Sequence, residues 1–368
     1  MVTQYGLVEQ YDELHDPILE TISNVIYSER HILGPHVDKF ENAFAEYCQV
    51  DYAVGCASGT DAITLALMAL KISTGDEVIT VANTAVPTIL GIIRSGATPV
   101  FVDVGDDYLI DPSKIESVIT ERTRAILPVH LYGTVADMQA LSEISDKHGL
   151  YLIEDAAQAH GAYFGQQRAG HLSDVGCFSF YPTKNLGCIG DGGILTTNSR
   201  SLYESLLELR NCGQRSRYVH SRIGLNSRLD EIQAAILNVK LPFLDQWNSR
   251  RRDIAQRYTS NLSEFVVCPT TPHDCTHVFH QYVIRSPQRD GLLEHMKTCG
   301  VPLLIHYPIP CHLQEACHHL GWRQGSLPRT ERHSAHIISL PMHPYLTDTY
   351  VDELSDKIID YENRTRQP

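Results

Sequence analysis

Basic residues are the scarcer charge in this chain. Its 368 residues carry 30 Lys and Arg against 44 Asp and Glu, a formal charge of −14. That balance opposes the counterion release that drives binding to nucleic acid and to anionic lipid. No uninterrupted apolar run reaches the roughly 18 residues of a membrane-spanning helix. Residues 1–20 carry acids every few positions and lack the basic start, apolar stretch and cleavage site of a secretory leader. The ten cysteines contain no CxxC pair and no regular framework, which argues against zinc knuckles and disulfide scaffolds. These absences predict reduced thiols and a cytoplasmic protein with neither nucleic-acid nor membrane partners. No GxGxxG follows a strand, which disfavours a nicotinamide-binding oxidoreductase, and the segment at 55–60 lacks the lysine of a Walker loop. Internal repeats and low-complexity tracts are missing too.

What is present is globular: 43% hydrophobic and 20% charged residues, over a length that suits about two domains. From residue 50 to about 200, short β-rich segments at 77–81, 99–103, 125–129, 151–154 and 176–180 alternate with helical patterns such as 136–148 and 199–211. That alternation predicts a largely parallel sheet covered on both faces. An amphipathic stretch over 228–240 is broken by Leu241-Pro242, and 249–262 reads as a further helix. A domain change is expected near residue 245, giving a large α/β domain over 1–245 and a smaller α+β domain over 246–368.

Three segments could carry chemistry. Gly55-Cys56-Ala57-Ser58-Gly59-Thr60 runs straight into an apolar helix pattern. Free backbone N–H groups at a helix start, with hydroxyls beside them, make an anion site that glycine lets a phosphate approach; a capped turn before a core helix would look the same. Next, the apolar strand Leu152-Ile153 ends in Glu154 and Asp155. Strand alternation points these acids to opposite faces, and ligand crevices of open α/β sheets lie at strand carboxyl ends. Last, Lys184 stands in Ser179-Phe180-Tyr181-Pro182-Thr183-Lys184-Asn185-Leu186-Gly187, between an aromatic-proline turn and the glycine-rich Gly190-Asp191-Gly192-Gly193. Burial lowers a lysine pKa toward the neutral amine that forms a Schiff base. In this order, a phosphate cradle, a strand-end acid and a lysine match the needs of pyridoxal 5′-phosphate: an acid on the pyridine nitrogen and an amine for the imine.

The strings GTDA (59–62), HLYG (130–133), EDAAQAHGA (154–162), SFYPTKNLG (179–187), GDGG (190–193), GLNSRLDEIQAA (224–235) and HYPIP (306–310) resemble those of the DegT/DnrJ/EryC1/StrS sugar aminotransferases. The likeness runs in order from about residue 32 to 342. It implies the aspartate-aminotransferase-like fold (fold type I), with a mostly parallel seven-stranded sheet in the large domain and a smaller C-terminal α+β domain. It implies that Lys184 forms the imine and moves the proton between substrate carbon and cofactor. Asp155 would hold the pyridine nitrogen, and Gln158 would lie near the ring's phenolic oxygen. Ser58, Gly59, Thr60 and Ser179 would bind the phosphate. Asn226 would reach the phosphate of a neighbouring subunit's cofactor, implying a homodimer with shared active sites. His160, His306 and Tyr307 fall in strings that resemble active-site segments and are candidate contacts to the sugar or its diphosphate. The 19 histidines do not imply a metal: Cys317-His318-His319 and His312 lie close, yet no second pair with zinc-ligand spacing accompanies them.

One departure stands out. Many members carry an aromatic residue after the Asn-Thr pair that stacks on the cofactor ring, whereas here Asn83-Thr84 is followed by Ala85, so Val86, Pro87 or another residue must cover that face. The activity implied is transfer of an amino group from an amino acid, glutamate, to a keto-sugar linked to a nucleoside diphosphate, at C3, in amino-sugar biosynthesis. The alternatives are a C4-sugar, cyclitol or amino-acid aminotransferase, and a non-catalytic regulatory protein of the same fold. A buried arginine gripping a dicarboxylate would favour the amino-acid version, with Arg285, Arg289 and Arg323 as the candidates.

Overall fold

The structure is a computed structural model that describes residues 5–366. The chain enters through α1 (Leu7–Tyr27) and α2 (Pro35–Cys48). It then builds β1 (Tyr52–Cys56), α3 (Gly59–Ala69), β2 (Glu77–Val81), α4 (Val86–Ser95), β3 (Thr98–Val102), β4 (Thr123–Ile126), α5 (Met138–His148) and β5 (Tyr151–Asp155). Two short strands, β6 (Tyr163–Phe164) and β7 (Gln167–Arg168), precede β8 (Val175–Ser179) and β9 (Gly193–Thr197). The seven longer strands form one sheet in the order β1-β9-β8-β5-β4-β2-β3. From β8 to β3 every pairing is parallel, while β9 runs antiparallel to both its neighbours. This is the α/β fold with a mixed, mostly parallel seven-stranded sheet that the sequence resemblance implies.

Local chemistry explains the alternation. β2 and β9 are buried along their whole length, as strands of a sheet covered on both faces must be. The crossover helices begin at side-chain caps: Ser58 accepts from the Asp61 amide, Asp137 from Ala140 and Ser199 from Leu202. Gly96 and Gly149 end α4 and α5 in the left-handed conformation, which glycine adopts without strain.

After β9 come α6 (Arg200–Arg210), a hairpin of β10 (Gln214–Ser216) and β11 (Val219–His220), α7 (Glu231–Lys240) and α8 (Leu244–Leu262). β12 (Cys275–Thr276) pairs with β6. Then follow β13 (Tyr282–Arg285), α9 (Arg289–Thr298), α10 (Pro328–His336), β14 (Ile337–Leu340) and α11 (Asp348–Arg366). β13 and β14 pair antiparallel and share a separate apolar core with α8, α9 and α11, built on Tyr258, Tyr282, Leu292, Leu340 and Ile358.

α8 starts at Leu244, ahead of the expected 249. Leu241–Phe243 is a 3-10 turn that leads straight into it, and Pro242 lies in that first turn, where its missing N–H has no helical partner to lose. The proposed domain change near residue 245 therefore falls at the first turn of α8. Its early side chains Leu244 and Trp247 join the cores around the large sheet and α1, whereas Ile254, Tyr258 and Leu262 join the second core. Among the described residues no helix is long and apolar enough to cross a membrane.

Candidate active site

A cavity of about 500 Å³ opens at the carboxyl ends of β1, β5 and β8. Ser58, Gly59, Thr60 and Ser179 line one part of it; Asp155, Gln158, Lys184 and Tyr307 line the rest. The crevice thus collects eight residues picked out in the sequence.

At one end, Ser58 caps α3 through its Oγ, 3.1 Å from the Asp61 amide, and the first-turn amides of α3 have no helical partner. Asp61 is the acid that could repel an anion there, but Arg94 Nη1 donates to it at 2.6 Å and Ser227 Oγ at 2.7 Å. Close packing requires the glycines. A Cβ on Gly59 would lie 2.7 Å from Ser179 Cβ, and one on Gly193 would lie 2.5 Å from the Ser58 carbonyl. Gly193 pairs with both Cys56 and Ser179, so a bare backbone at the start of β9 lets the two hydroxyl-bearing loops meet.

The two strand-end acids point apart as alternation requires. Glu154 is wholly buried on the far side, accepting from the Gly170 and Leu172 amides at 2.8 and 2.9 Å and lying 2.9 Å from His130 Nε2. The Ala136 amide donates to His130 Nδ1 at 3.2 Å, so Nε2 carries the hydrogen that goes to Glu154. Asp155 faces the cavity. Thr88 Oγ1 donates to its Oδ2 at 2.7 Å and the Ala157 amide to its Oδ1 at 3.1 Å. Burial raises the Asp155 pKa, opposed by Thr88, Ala157 and the charge of Lys184.

Lys184 reaches the same cavity from the loop between β8 and β9. Burial lowers its pKa to about 8, with the Asp155 charge acting the other way. The loop is fixed at several points: Lys240 Nζ donates to the Gly187 carbonyl at 2.8 Å, and Asn185 Nδ2 to Asn248 Oδ1 and the Val278 carbonyl at 2.8 and 2.9 Å. Gln158 accepts from the Tyr132 amide at 2.7 Å and donates to Tyr307 Oη at 3.1 Å. An anion cradle, a buried acid and an amine of lowered pKa share one crevice, and that donor set fits pyridoxal 5′-phosphate.

Three candidates fall elsewhere. His160 does not line the cavity: it is wholly buried against Phe178 and Phe180, at ring distances of 5.3 and 5.7 Å, and burial lowers its pKa to about 3. Phe178 and Phe180 flank Ser179, so alternation puts them on the face turned from the cavity. In place of the expected substrate contact, the structure shows the ring packed between aromatic side chains. His306 also stays out of the lining; its Nδ1 lies 2.8 Å from Ser339 Oγ and its carbonyl accepts from Tyr132 Oη. Asn226 is exposed and bridges to Asn211, away from its own chain's cavity.

Where an aromatic ring was missing, Ala85, Val86 and Pro87 line the cavity together. Thr84, Thr88, Tyr181 and Asp191 also line it and were not singled out in the sequence; the one signal for the threonines is their spacing of four at a helix start. None of Arg285, Arg289 and Arg323 does. Cys317 packs with Phe101 and Trp322, His312 bonds to Glu331 at 3.0 Å, and among the described residues no group of three or more His, Cys, Asp or Glu is placed to hold a metal ion.

A mostly parallel α/β sheet with a lysine and a strand-end acid in one crevice defines an aminotransferase-like architecture. The chain belongs to the DegT/DnrJ/EryC1/StrS aminotransferase family, whose model matches residues 12–359. It is 45% identical over 360 residues to a dTDP-3-amino-3,4,6-trideoxy-alpha-D-glucose transaminase from Streptomyces venezuelae, covering 97% of this chain and 95% of that one. It is 44% identical over 365 residues to a pleiotropic regulatory protein from Geobacillus stearothermophilus, covering 98% of each. The S. venezuelae DesV structure in complex with a ketimine intermediate superposes with a TM-score of 0.96 at 45% identity, covering 97% of both chains.

Proposed function

We propose that the protein is a pyridoxal-phosphate-dependent aminotransferase that moves an amino group from glutamate to C3 of a keto-sugar carried on a nucleoside diphosphate. The observation that carries this reading is the convergence of Lys184 and Asp155 on one cavity beside the Ser58–Thr60 cradle. The C3 position is supported by the relative named for a 3-amino sugar.

When bound, the cofactor supplies an aldehyde to carry the amino group and a protonated ring to accept electrons released at carbon. Ser58, Gly59, Thr60 and Ser179 would hold its phosphate through hydroxyl and amide donors, and the dipole at the start of α3 adds to the attraction. Asp155, with Thr88 and Ala157 each donating to one of its oxygens, would keep the proton on the pyridine nitrogen. Gln158, braced by Tyr132 and Tyr307, would orient the ring edge. Ala85, Val86 and Pro87 would cover the ring face with aliphatic surface. Lys184 Nζ removes the proton from the α-carbon of the amino acid in the first half of the reaction. It returns a proton to the carbonyl carbon of the sugar in the second. Asn226 would complete the phosphate site of a second copy in a homodimer.

The test is a screen of dTDP- and UDP-linked 3- and 4-keto sugars with glutamate, with the amino-sugar product detected by mass. Amination of a 3-keto sugar is expected. Activity on 4-keto sugars alone would overturn C3, and activity confined to keto acids would overturn the sugar acceptor. A regulatory protein without catalysis would show neither.

A further inference from the structure

A second cavity, of about 300 Å³, lies where the loop after β3 meets β13 and α10. Arg285 stands at the end of β13, Arg332, His333 and His336 come from α10, and Asp106 is the one acid in the lining. Two arginines against one aspartate make this cavity net positive on a chain of charge −14.

The arginines are sparsely used. Arg332 Nη2 lies 3.5 Å from Asp106 Oδ1, and this rim pair contributes little in solvent. Arg285 Nη1 donates to His333 Nδ1 at 3.0 Å, and its Cζ sits 5.4 Å from the centre of the Tyr108 ring. A guanidinium has five N–H donors in a planar fork, and His333 takes one of them. His333 in turn donates from Nε2 to the Gly105 carbonyl at 3.1 Å, so it is a neutral prop that fixes the Arg285 plane. His336 donates from Nδ1 to the Arg332 carbonyl at 2.7 Å, which leaves Nε2 for another partner.

We propose that this cavity is a binding site for a phosphate group, free or carried on a small monoester, gripped by Arg285 and Arg332 with His336 at the rim. Paired guanidinium forks match the spacing of phosphate oxygens, and a doubly charged anion displaces the long contact to Asp106. The site bridges the loop of the large sheet and the β13/α10 unit. Tyr108, which Arg285 covers, packs edge-on against Tyr132 at 5.3 Å, the residue whose amide holds Gln158.

The holoenzyme, with its cofactor phosphate site filled, is titrated by calorimetry with inorganic phosphate and, separately, with glycerol 1-phosphate at constant ionic strength. One saturable site per chain is expected, weakened at least about tenfold in R285Q and in the rim variant R332Q, which conserves the buried packing. Comparable affinity for both probes indicates free phosphate as ligand, and tighter binding of glycerol 1-phosphate indicates an ester. Absence of saturable binding by either probe, or wild-type affinity in a folded R332Q, overturns the proposal. Because the readout is binding to cofactor-loaded protein, it stands apart from whether any keto-sugar is aminated.

Discussion

Thr88 Oγ1 donates a 2.7 Å hydrogen bond to Asp155 Oδ2 in the buried floor of the cavity, across 67 residues of sequence. It is one of two donors that oppose the burial which raises the pKa of this carboxyl group. Replacing Thr88 with Val keeps the shape and removes the donor. A hydrogen bond to a charged group contributes roughly 1.5–3 kcal/mol, so cofactor affinity, measured by fluorescence titration of the apo-protein, is expected to fall about ten- to hundredfold. Unchanged affinity would remove Thr88 from the support of Asp155.

Lys184→Ala should cost at least about 10²–10⁴-fold in turnover, the scale of a positioned general acid–base. The same variant should lose the borohydride-sensitive absorbance near the visible edge. Retention of amine transfer would contradict the assignment of the proton carrier.

The pH dependence follows from burial. Lys184 titrates near 8 in the folded chain instead of at its ordinary 10.5, so the neutral amine appears as pH rises through about 8. Cofactor uptake by the apo-protein, followed by absorbance, should accelerate through that pH and level off above it. The folded chain also binds fewer protons than the unfolded one between these two values. This group therefore makes stability rise with pH across that window, and the contribution levels off above 10.5.

Subunit mixing tests the shared site. Asn226→Asp places a negative charge where the neighbour's phosphate would lie, and should inactivate on its own. In a twofold dimer, pairing N226D with K184A restores one intact site per mixed pair, so about a quarter of wild-type activity returns on random assortment. No recovery on mixing would remove Asn226 from the partner's site.

Next to the Ser58–Thr60 turn, Glu41 and Arg210 form a buried ion pair that brackets Gly55. Glu41 accepts from its amide at 2.7 Å and Arg210 donates to its carbonyl at 2.9 Å. Arg210→Met leaves Glu41 buried without its cation, which costs about 3–5 kcal/mol. Denaturant unfolding should show a lower midpoint, and E41Q/R210M should recover part of the loss.

How far the sequence could be read depends on whether a feature is local. β2, β3 and β5 follow from apolar, β-branched runs, and Asp155 from its place at a strand end. β1 and β9 carry glycines within short strands, which weakens the signal, and no pattern of side chains reveals that β9 is reversed. Thr88 was invisible because its partner lies in another crossover unit. The placement of His160 was not legible: Ala157 and Gln158 line the cavity while its own ring turns to Phe178 and Phe180. Arg285 lines the second cavity and not the one that holds Lys184 and Asp155, apart from the dicarboxylate grip considered for it.

The reversal of β9 has a mechanical outcome. Parallel neighbours need a crossover, whereas antiparallel ones can be joined directly at one edge. Residues 180–192 make such a join, leaving β8 at Ser179 and re-entering the adjacent β9 at Gly193. The Lys184 amine is thus mounted on a span clamped at both feet to one rigid platform, like a bridge deck and not a diving board. Lengthening that span by even one residue should blur the aim of the amine while leaving the platform itself standing.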